Sequence, residues 1–565
     1  MDARARWLPR LWALALTVLL LWPVLGRGFV LSYDMVWVPD LALRPDFLGV
    51  GPALPRAVPS DAVVAVLDEL LPGMLLQKLV LFGAVLAGGC GAAELVRSPS
   101  LPARLSAVSV YVWSAYVVER TVLGQWPLLL AVAVLPWLLL AAVRSREAGR
   151  VAPGLPTLLV VGSLSAVSGL ACAVVALAFG WRRRGTARWW LATAVLAANA
   201  PWLVAGLLHA STARSSALGA RVFALHDEGT VVGPLAALTS GGVWNAEVVP
   251  ASRTGTTGWL ALVLLLALAL LGVRGWLRAT RRRDVAAYVG CWLVGLVVAV
   301  GTYLTPGAAG ALAAHVPGAG LLRDGSRLLL LGLPLMAVTS AHGALAVTGR
   351  VRSGVPRAAL AVACVLLPIA LMPDAAGGMA GRLRAVDYPP SYDALARAVA
   401  RQQGPGDVLV LPFTSYRAPV WNRRHSVLDP TGRYQPRDYV ASDDLVVSGR
   451  VVRGEDPRDP VVHTALGRPR PQQRSRSLAR AGVGLVVTDR SAPGRPPRVA
   501  GTVLLRSPEL TLTRLDGVRP RRVPAGWWLA MALAWLAFLA GPVSDVARGA
   551  ARRPTWARAR SLTDW

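Results

Sequence analysis

The chain has 565 residues, 54% of them hydrophobic, and its mean hydropathy of +0.48 is typical of a polytopic membrane protein and excludes a soluble multidomain protein. Its net charge of +29 comes from 60 basic and 31 acidic residues. The basic residues stand in short loops between apolar runs, where they set topology and meet anionic head groups, so we expect membrane lipids and no nucleic acid as partners.

The apolar runs predict about twelve membrane segments. The first, residues 11–26, follows a cluster of arginines, has no obvious small-residue cleavage site and is interpreted as a retained signal anchor that begins in the cytoplasm. The others are residues 73–95, 103–118, 126–143, a hairpin within 156–180, 189–208, 259–277, 287–304, 328–347, 358–372 and 526–542. Twelve segments put both termini in the cytoplasm of a multi-pass protein of the cell membrane.

The run at 156–180 is interpreted as two short helices because of the charges around it. Basic clusters flank it on both sides: Arg144, Arg146 and Arg150 before it, and Arg182, Arg183 and Arg184 after it. A single crossing would leave one cluster outside, whereas a turn near 163–169 keeps both inside.

The segments divide the chain into three parts. Residues 1–372 form a membrane core, 373–525 an extracytoplasmic region, and 526–565 a last helix with a basic cytoplasmic tail. Within the core we expect outer loops at 27–72, 209–258 and 305–327.

The region 373–525 is predicted to be a small α/β domain. A helix through Leu395 that Ser391 can cap precedes a buried strand at 408–413, and a second helix-to-strand step covers 478–489. Residues 414–476, rich in Arg, Pro and Asp, are expected to form irregular loops. No glycine-rich phosphate motif follows a strand, and the four cysteines lie in apolar segments, so we predict no nucleotide site, disulfide or structural metal.

An extracytoplasmic site has no access to nucleotide sugars, so a transfer reaction there needs a lipid-borne activated donor and a carboxylate that deprotonates the acceptor hydroxyl. Asp34 is the first candidate, because it lies just beyond the first segment between Tyr33 and Trp37. The alternative is that Asp34 caps or solvates a loop. Asp40 is the second candidate, and its alternative is a turn cap.

The phosphate of such a donor needs cations or amide donors. Arg120 is one candidate, unless it only pairs with Glu119. The cluster Arg323, Asp324 and Arg327 is another: two arginines four residues apart at a helix entrance suit a phosphate, with interfacial anchoring as the alternative. Trp244 and Asn245 fit a sugar-contacting corner, although a tryptophan of the interfacial belt explains Trp244 equally well.

No pair of histidines has the spacing of a metal site, and no metal ligand is assigned. His226, Asp227 and Glu228 are the one dense set of ligand types, so a divalent cation stays possible and a solvated loop is the alternative.

Three stretches carry a resemblance to a known family: SYDMVWVPD, LLPGMLLQKLVLFGAVLAGGCGAAEL and SAYVVERTVLGQWPLLLAVAVLPWLL. They resemble the GT-C class of polyprenyl-phosphate-dependent glycosyltransferases, and most of all its actinobacterial arabinofuranosyltransferases, over residues 11–345. The resemblance implies that Asp34 is the catalytic carboxylate, that the donor is a decaprenyl-phosphate-linked sugar, and that the acceptor is an envelope glycan or glycolipid. Two departures stand out: no Asp-Asp or Asp-x-Asp pair follows the first segment, and the C-terminal region is much shorter.

The sequence therefore predicts a polytopic α-helical GT-C-like membrane protein with a small extracytoplasmic α/β domain. It would transfer a sugar, such as arabinofuranose or mannose, from a polyprenyl-phosphate donor to a cell-envelope acceptor. The alternative is a non-catalytic envelope protein or a lipid or glycan transporter.

Overall fold

A computed structural model of the chain describes residues 3–211, 216–447, 449–493, 495–520 and 523–551. Its membrane half is built from long apolar helices. The helices up to residue 208 are Ala3–Leu21, Pro45–Leu48, Ser60–Leu67, Gly73–Leu95, Leu101–Val112, Ala115–Val122, Trp126–Ala148, Leu155–Gly162, Ala166–Gly180 and Ala187–Leu208. Those that follow, up to residue 371, are Ala217–Val222, Gly233–Leu238, Thr256–Ala279, Arg282–Leu304, Pro306–His315, Leu333–Thr348 and Val355–Leu371.

Among the described residues, nine helices are long and apolar enough to cross a membrane, and ten if Val355–Leu371 is counted with the bent segment Pro373–Gly381. With the two short helices inside 156–180, every predicted segment has a helical counterpart, so the prediction of a polytopic helical protein is confirmed. Leu101–Val122, Trp126–Ala148 and Gly325–Thr348 are the most buried and form the centre of the bundle.

The predicted hairpin is present as the helices Leu155–Gly162 and Ala166–Gly180. Between them the chain breaks at Ser163–Ser165, and Ser165 caps the second helix by accepting a hydrogen bond from the Ser168 backbone. Gly149 lies against the Arg182 guanidinium, because a Cβ atom at Gly149 would stand 2.3 Å from it. The two basic clusters therefore lie at the same end of the bundle, as the charge argument requires.

Close helix packing is clearest between Thr256–Ala279 and Leu333–Thr348. A Cβ atom at Gly272 would lie 1.9 Å from the Thr339 carbonyl oxygen, and one at Gly343 would lie 1.9 Å from the Leu268 carbonyl oxygen. Backbone oxygens cannot yield as flexible side chains do, so these two positions need glycine. Small residues that let helix backbones approach are a common device of membrane bundles.

Gly272→Ala is expected to lower the free energy of unfolding by about 1–3 kcal/mol, the usual cost of overpacking. Gly290→Ala is the matched control, because nothing lies within 4 Å of a Cβ atom at that helical glycine. Thermal unfolding of the detergent-purified variants measures both. Equal unfolding temperatures for the two variants would show that the two helices are not packed this closely at Gly272.

The C-terminal region contains strands and further helices. The strands, numbered over the whole chain, are β1 (Phe29–Val30), β2 (Ala385–Val386), β3 (Asp407–Leu411), β4 (Tyr416–Arg417), β5 (Val427–Leu428), β6 (Tyr439–Val440), β7 (Leu445–Val447), β8 (Arg450–Val452), β9 (Val483–Asp489), β10 (Thr502–Arg506) and β11 (Leu510–Arg514). The helices are Pro390–Ala400, Pro430–Arg433, Asp459–Leu466, Pro471–Arg480 and Ala525–Ala551.

Five of these strands form one mixed sheet in the order β10-β11-β9-β3-β6. The strand β3 pairs in parallel with β9 and β6, while β11 is antiparallel to β9 and β10. The predicted strands and the second helix-to-strand step are thus confirmed. The predicted Ser391 cap is wrong, because Pro389 occupies the cap position and the Ser391 hydroxyl donates to Glu509 at 2.6 Å.

The first outer loop and the C-terminal region fold against each other. Strand β1 of the loop pairs with β2. The buried Arg44 side chain donates to the carbonyls of Gly432, Gln435 and Arg437 at 2.7–3.2 Å, and Arg433 forms an ion pair with Asp61. The loop that carries the candidate carboxylate is thereby held between the bundle and the sheet.

Candidate active site

Asp34 lies in a turn that is fixed on the end of the helix Ala115–Val122. Its backbone N–H donates to the Leu123 carbonyl at 3.1 Å, and the Ser32 hydroxyl donates to the Val122 carbonyl at 2.6 Å. Gly124, with a φ of +81°, permits this approach, since a Cβ atom there would lie 2.3 Å from the Ser32 carbonyl oxygen. The backbone thus points the Asp34 side chain away from the bundle core.

Each carboxylate oxygen of Asp34 accepts one hydrogen bond from a neutral donor. The Gln125 amide donates to Oδ2 at 3.1 Å, and the Tyr416 phenol donates to Oδ1. Burial and the neighbouring Asp34 carboxylate raise the pKa of Tyr416 well above its ordinary value, so this phenol keeps its proton. The Asp34 side chain is exposed and borders a cavity, so it can also take a proton from a molecule inside.

Arg120 and Asp324 lie behind this carboxylate and are fully buried. Arg120 donates to the side-chain amide oxygen of Gln125 at 2.8 Å and to the Ser326 hydroxyl at 2.6 Å, and it forms an ion pair with Asp324 at 3.1 Å. Burial tends to raise the pKa of Asp324, but Arg120 and Arg327 outweigh it and hold that pKa below its ordinary value. The structure therefore places these two candidates in a scaffold that orients Gln125, outside the cavity lining.

Arg327 borders the cavity and is only partly buried. Its Nε atom lies 3.0 Å from Asp324 Oδ2, and its carbonyl accepts the Tyr116 phenol at 2.7 Å. Both contacts fix the base of the side chain. Its guanidinium is the cation of the predicted cluster that is best placed for an anion in the cavity.

Arg323 also borders the cavity, but it has a different partner. It donates to Glu455 at 2.7 Å, and its guanidinium lies 4.8 Å from the centre of the Phe223 ring. The chain after Asp324 is not α-helical, since Gly325–Gly332 is a 3-10 helix, and the two arginines have different ion-pair partners: Glu455 for Arg323 and Asp324 for Arg327.

Trp244 and Asn245 line the same cavity. Trp244 packs edge-on against Phe223 at 4.8 Å, and the Asn245 side chain caps the turn after it by accepting from the Glu247 backbone at 3.0 Å. Glu247 in turn accepts the Tyr33 phenol. Asp40 is exposed and lies outside the cavity lining.

The cavity has a volume of about 1950 Å³ and two unlike walls. The C-terminal region supplies a polar wall with Ser415, Tyr416, Asp443, Asp444 and Glu455. The helix Ala187–Leu208 and the segment 313–321 supply an apolar wall, which includes Leu207, Val316 and Leu321. These three apolar side chains are also exposed on the surface, so the apolar side of the cavity opens beside a membrane helix.

His226, Asp227 and Glu228 point to different partners. His226 contacts the Ala224 carbonyl, Asp227 accepts the Gly233 N–H at 2.7 Å, and the buried Glu228 pairs with Arg253 at 2.6 Å. Among the described residues, one other group has the composition of a cation site: ligand atoms of Asp444, Asp459 and His463 lie within 4.8 Å of one another.

Comparison with solved structures gives one consistent likeness. The cryo-EM structure of the arabinofuranosyltransferase AftD from Mycobacteria superposes with a TM-score of 0.54 at 17% sequence identity, over 93% of this chain. A mutant form of that enzyme gives 0.52 and 17% over 92% of this chain. This chain has the fold of the part of AftD that it matches.

The likeness confirms the GT-C-like architecture. The chain spans 40% of the length of the AftD chain, so the likeness concerns the fold and leaves the activity to be tested. No protein-family model matches the sequence, and no curated protein matches it.

Three residues of the site escaped prediction from the sequence. Gln125 stands in a segment already noted for Arg120, and its neutral amide carries no charge signal. Tyr416 is 382 residues from Asp34 and lies in the stretch expected to be irregular. Arg56, which pairs with Asp443 at 2.9 Å on the cavity wall, sits in a loop without a recognisable motif.

Proposed function

We propose that the protein is a membrane glycosyltransferase that moves a sugar from a polyprenyl-phosphate donor to an envelope glycan or glycolipid on the extracytoplasmic face. The observation that carries this proposal is the cavity, in which a carboxylate and a guanidinium face a space that is polar on one side and opens beside a membrane helix on the other. A lipid-linked sugar has the same division into a polar head and an apolar tail.

We propose the following orientation for the donor. Its prenyl chain leaves between the helix Ala187–Leu208 and segment 313–321, where exposed apolar side chains line the opening. Its phosphate lies at the Arg327 guanidinium, which supplies N–H donors in the planar geometry that phosphate oxygens accept. The sugar then lies between Arg327 and Asp34, near the polar wall.

In the reaction, the acceptor hydroxyl oxygen bonds to the anomeric carbon as the bond from that carbon to the phosphate oxygen breaks. Asp34 takes the hydroxyl proton, and the polyprenyl phosphate leaves with the electron pair of the broken bond. Arg327 stabilises the charge that develops on the leaving phosphate. The Asp34 contacts to Gln125 and Tyr416 hold its carboxylate ready for this step.

A transfer assay tests the proposal. Purified full-length protein is incubated with decaprenyl-phosphate-linked arabinofuranose or mannose, each radiolabelled, and with envelope glycan fragments. Release of decaprenyl phosphate together with a labelled glycan is the expected result. Binding of both donors without any turnover, to water or to glycan, would favour the alternative of a non-catalytic lipid or glycan carrier.

The same assay with and without a chelator tests the possible divalent cation. Asp444, Asp459 and His463 offer two carboxylates and an imidazole, which suit a divalent metal, and two of these residues border the cavity.

For the topology, we propose that both termini are cytoplasmic and that 373–525 is extracytoplasmic, because the arginine clusters of the short loops lie at the opposite end of the bundle.

Arg327→Ala is expected to raise the KM for the donor by about 10–100-fold, because a charge-assisted hydrogen bond of roughly 1.5–3 kcal/mol to the phosphate is lost. Arg323→Ala is the matched control, since Glu455 already pairs with Arg323, and a smaller change is expected. Initial rates at varied donor concentration measure both. An equal effect of the two substitutions would contradict the placement of the phosphate at Arg327.

A further inference from the structure

The C-terminal region reaches the candidate reaction centre through a short hairpin. Strands β4 and β5 pair so that Tyr416 stands opposite Leu428. The hairpin continues onto the first outer loop: the Tyr33 N–H donates to the Ser426 carbonyl at 2.8 Å, and the Leu428 N–H donates to the Tyr33 carbonyl at 2.8 Å. The residue next to Asp34 is thus hydrogen-bonded on both sides to the hairpin that carries Tyr416.

The hairpin is itself anchored to the five-stranded sheet. The buried Arg417, next to Tyr416, forms ion pairs with Asp429 at 2.7 Å and with Asp489, at the end of β9, at 3.0 Å. It also donates to the Pro412 carbonyl just after β3. The position of the Tyr416 phenol is therefore set by the sheet, and the position of Asp34 by the bundle.

Several charges surround this contact. Arg56 from the first loop and Arg327 from the bundle are close enough to lower the pKa of the Tyr416 phenol, while burial and Asp34 raise it and prevail. On the far side of the turn, Tyr33 donates to Glu247. The Asp34 carboxylate itself accepts hydrogen bonds from the Tyr416 phenol and the Gln125 amide.

We propose that Tyr416 is a positioning residue that holds the Asp34 carboxylate in a fixed orientation, so that the C-terminal region completes the reaction centre. The phenol occupies Oδ1 of Asp34, while the Gln125 amide donates to Oδ2. Removal of the phenol therefore frees Oδ1 and leaves the carboxylate less firmly oriented. This inference rests on the proposed function for its biological meaning, but its test does not.

The test measures the reactivity of the Asp34 carboxyl group in the purified full-length protein. A water-soluble carbodiimide with an amine labels accessible carboxyl groups, and mass spectrometry of the tryptic peptide 28–56 reports the labelling of Asp34 and of the exposed Asp40 together. In Tyr416→Phe, labelling of Asp34 at one fixed pH is expected to become several-fold faster, because the phenol no longer covers Oδ1. Asp40 serves as the internal reference and keeps its labelling rate.

Tyr434→Phe is the matched control, because that phenol donates to Asp393 in the same region and does not contact Asp34. An unchanged labelling rate of Asp34 in Tyr416→Phe, or an equal increase in Tyr434→Phe, would overturn the inference. Because no sugar donor is used, this outcome is distinct from a failure of the transferase proposal, which would appear as faster labelling of Asp34 in a protein without transfer activity.

A reciprocal measurement leaves Tyr416 in place and so does not depend on the folding of Tyr416→Phe. Tetranitromethane nitrates the phenolate form of tyrosine. Asp34→Asn removes the negative charge beside the Tyr416 phenol, so nitration of Tyr416 at mildly alkaline pH is expected to become several-fold faster than in the native protein. An unchanged nitration rate would show that the two groups do not interact.

Discussion

Asp34→Asn is expected to lower the rate of sugar transfer by about 10²–10⁴-fold, the usual contribution of a general base. The asparagine side chain keeps the size and one acceptor oxygen, so the turn on Leu123 and the contacts of the surrounding helices persist. The unfolding temperature and the KM for the donor are therefore expected to stay close to those of the native protein. The loss should appear in kcat.

Asp40→Asn provides the matched control for that result. Asp40 is an exposed aspartate of the same loop outside the cavity lining, so its substitution is expected to leave transfer unchanged. A protein that retains most of its kcat after Asp34→Asn, or that loses as much after Asp40→Asn, would contradict the assignment of the base.

Arg120→Met is expected to give the largest loss of stability, about 3–5 kcal/mol, because it removes one partner of a buried ion pair. Arg120 and Asp324 are 1% and 2% exposed, so water cannot replace the lost contacts. The Gln125 side-chain amide oxygen and the Ser326 hydroxyl lose their donor as well. Denaturant or thermal unfolding in detergent measures the change.

Two comparisons sharpen that prediction. The double variant Arg120→Met with Asp324→Leu removes both charges and is expected to recover a large part of the lost stability. Arg281→Met breaks the exposed ion pair with Glu147 and is expected to cost only about 0–1 kcal/mol. Similar costs for Arg120→Met and Arg281→Met would show that the pair at Arg120 is not buried as described.

The membrane architecture could be predicted because its signals are local. Long apolar runs and the arginines beside them fix where each helix lies, and the charge clusters around 156–180 were enough to predict two short helices. The break at Ser163–Ser165 agrees with that reasoning. Strand β3 could also be predicted locally, from its continuous apolar run.

The site could be predicted only in part, because its contacts join distant residues. Asp34 could be selected from its position after the first segment, whereas its partner Tyr416 comes from a hairpin 382 residues away that carries no distinctive pattern. Arg323 and Arg327 were expected to bind a phosphate together, because they stand four residues apart at a predicted helix entrance. The 3-10 geometry after Asp324 and the ion pair of Arg323 with Glu455 could not be predicted, because neither feature has a signal in the local sequence.

A cryo-EM structure of the protein with decaprenyl phosphate tests the central claim most directly, because it shows where the leaving group lies. We expect the phosphate within hydrogen-bond distance of the Arg327 guanidinium, on the same side of the cavity as Asp34, and the prenyl chain beside Leu207 and Leu321. A phosphate bound outside the cavity, or inside it but remote from both Asp34 and Arg327, would contradict the account.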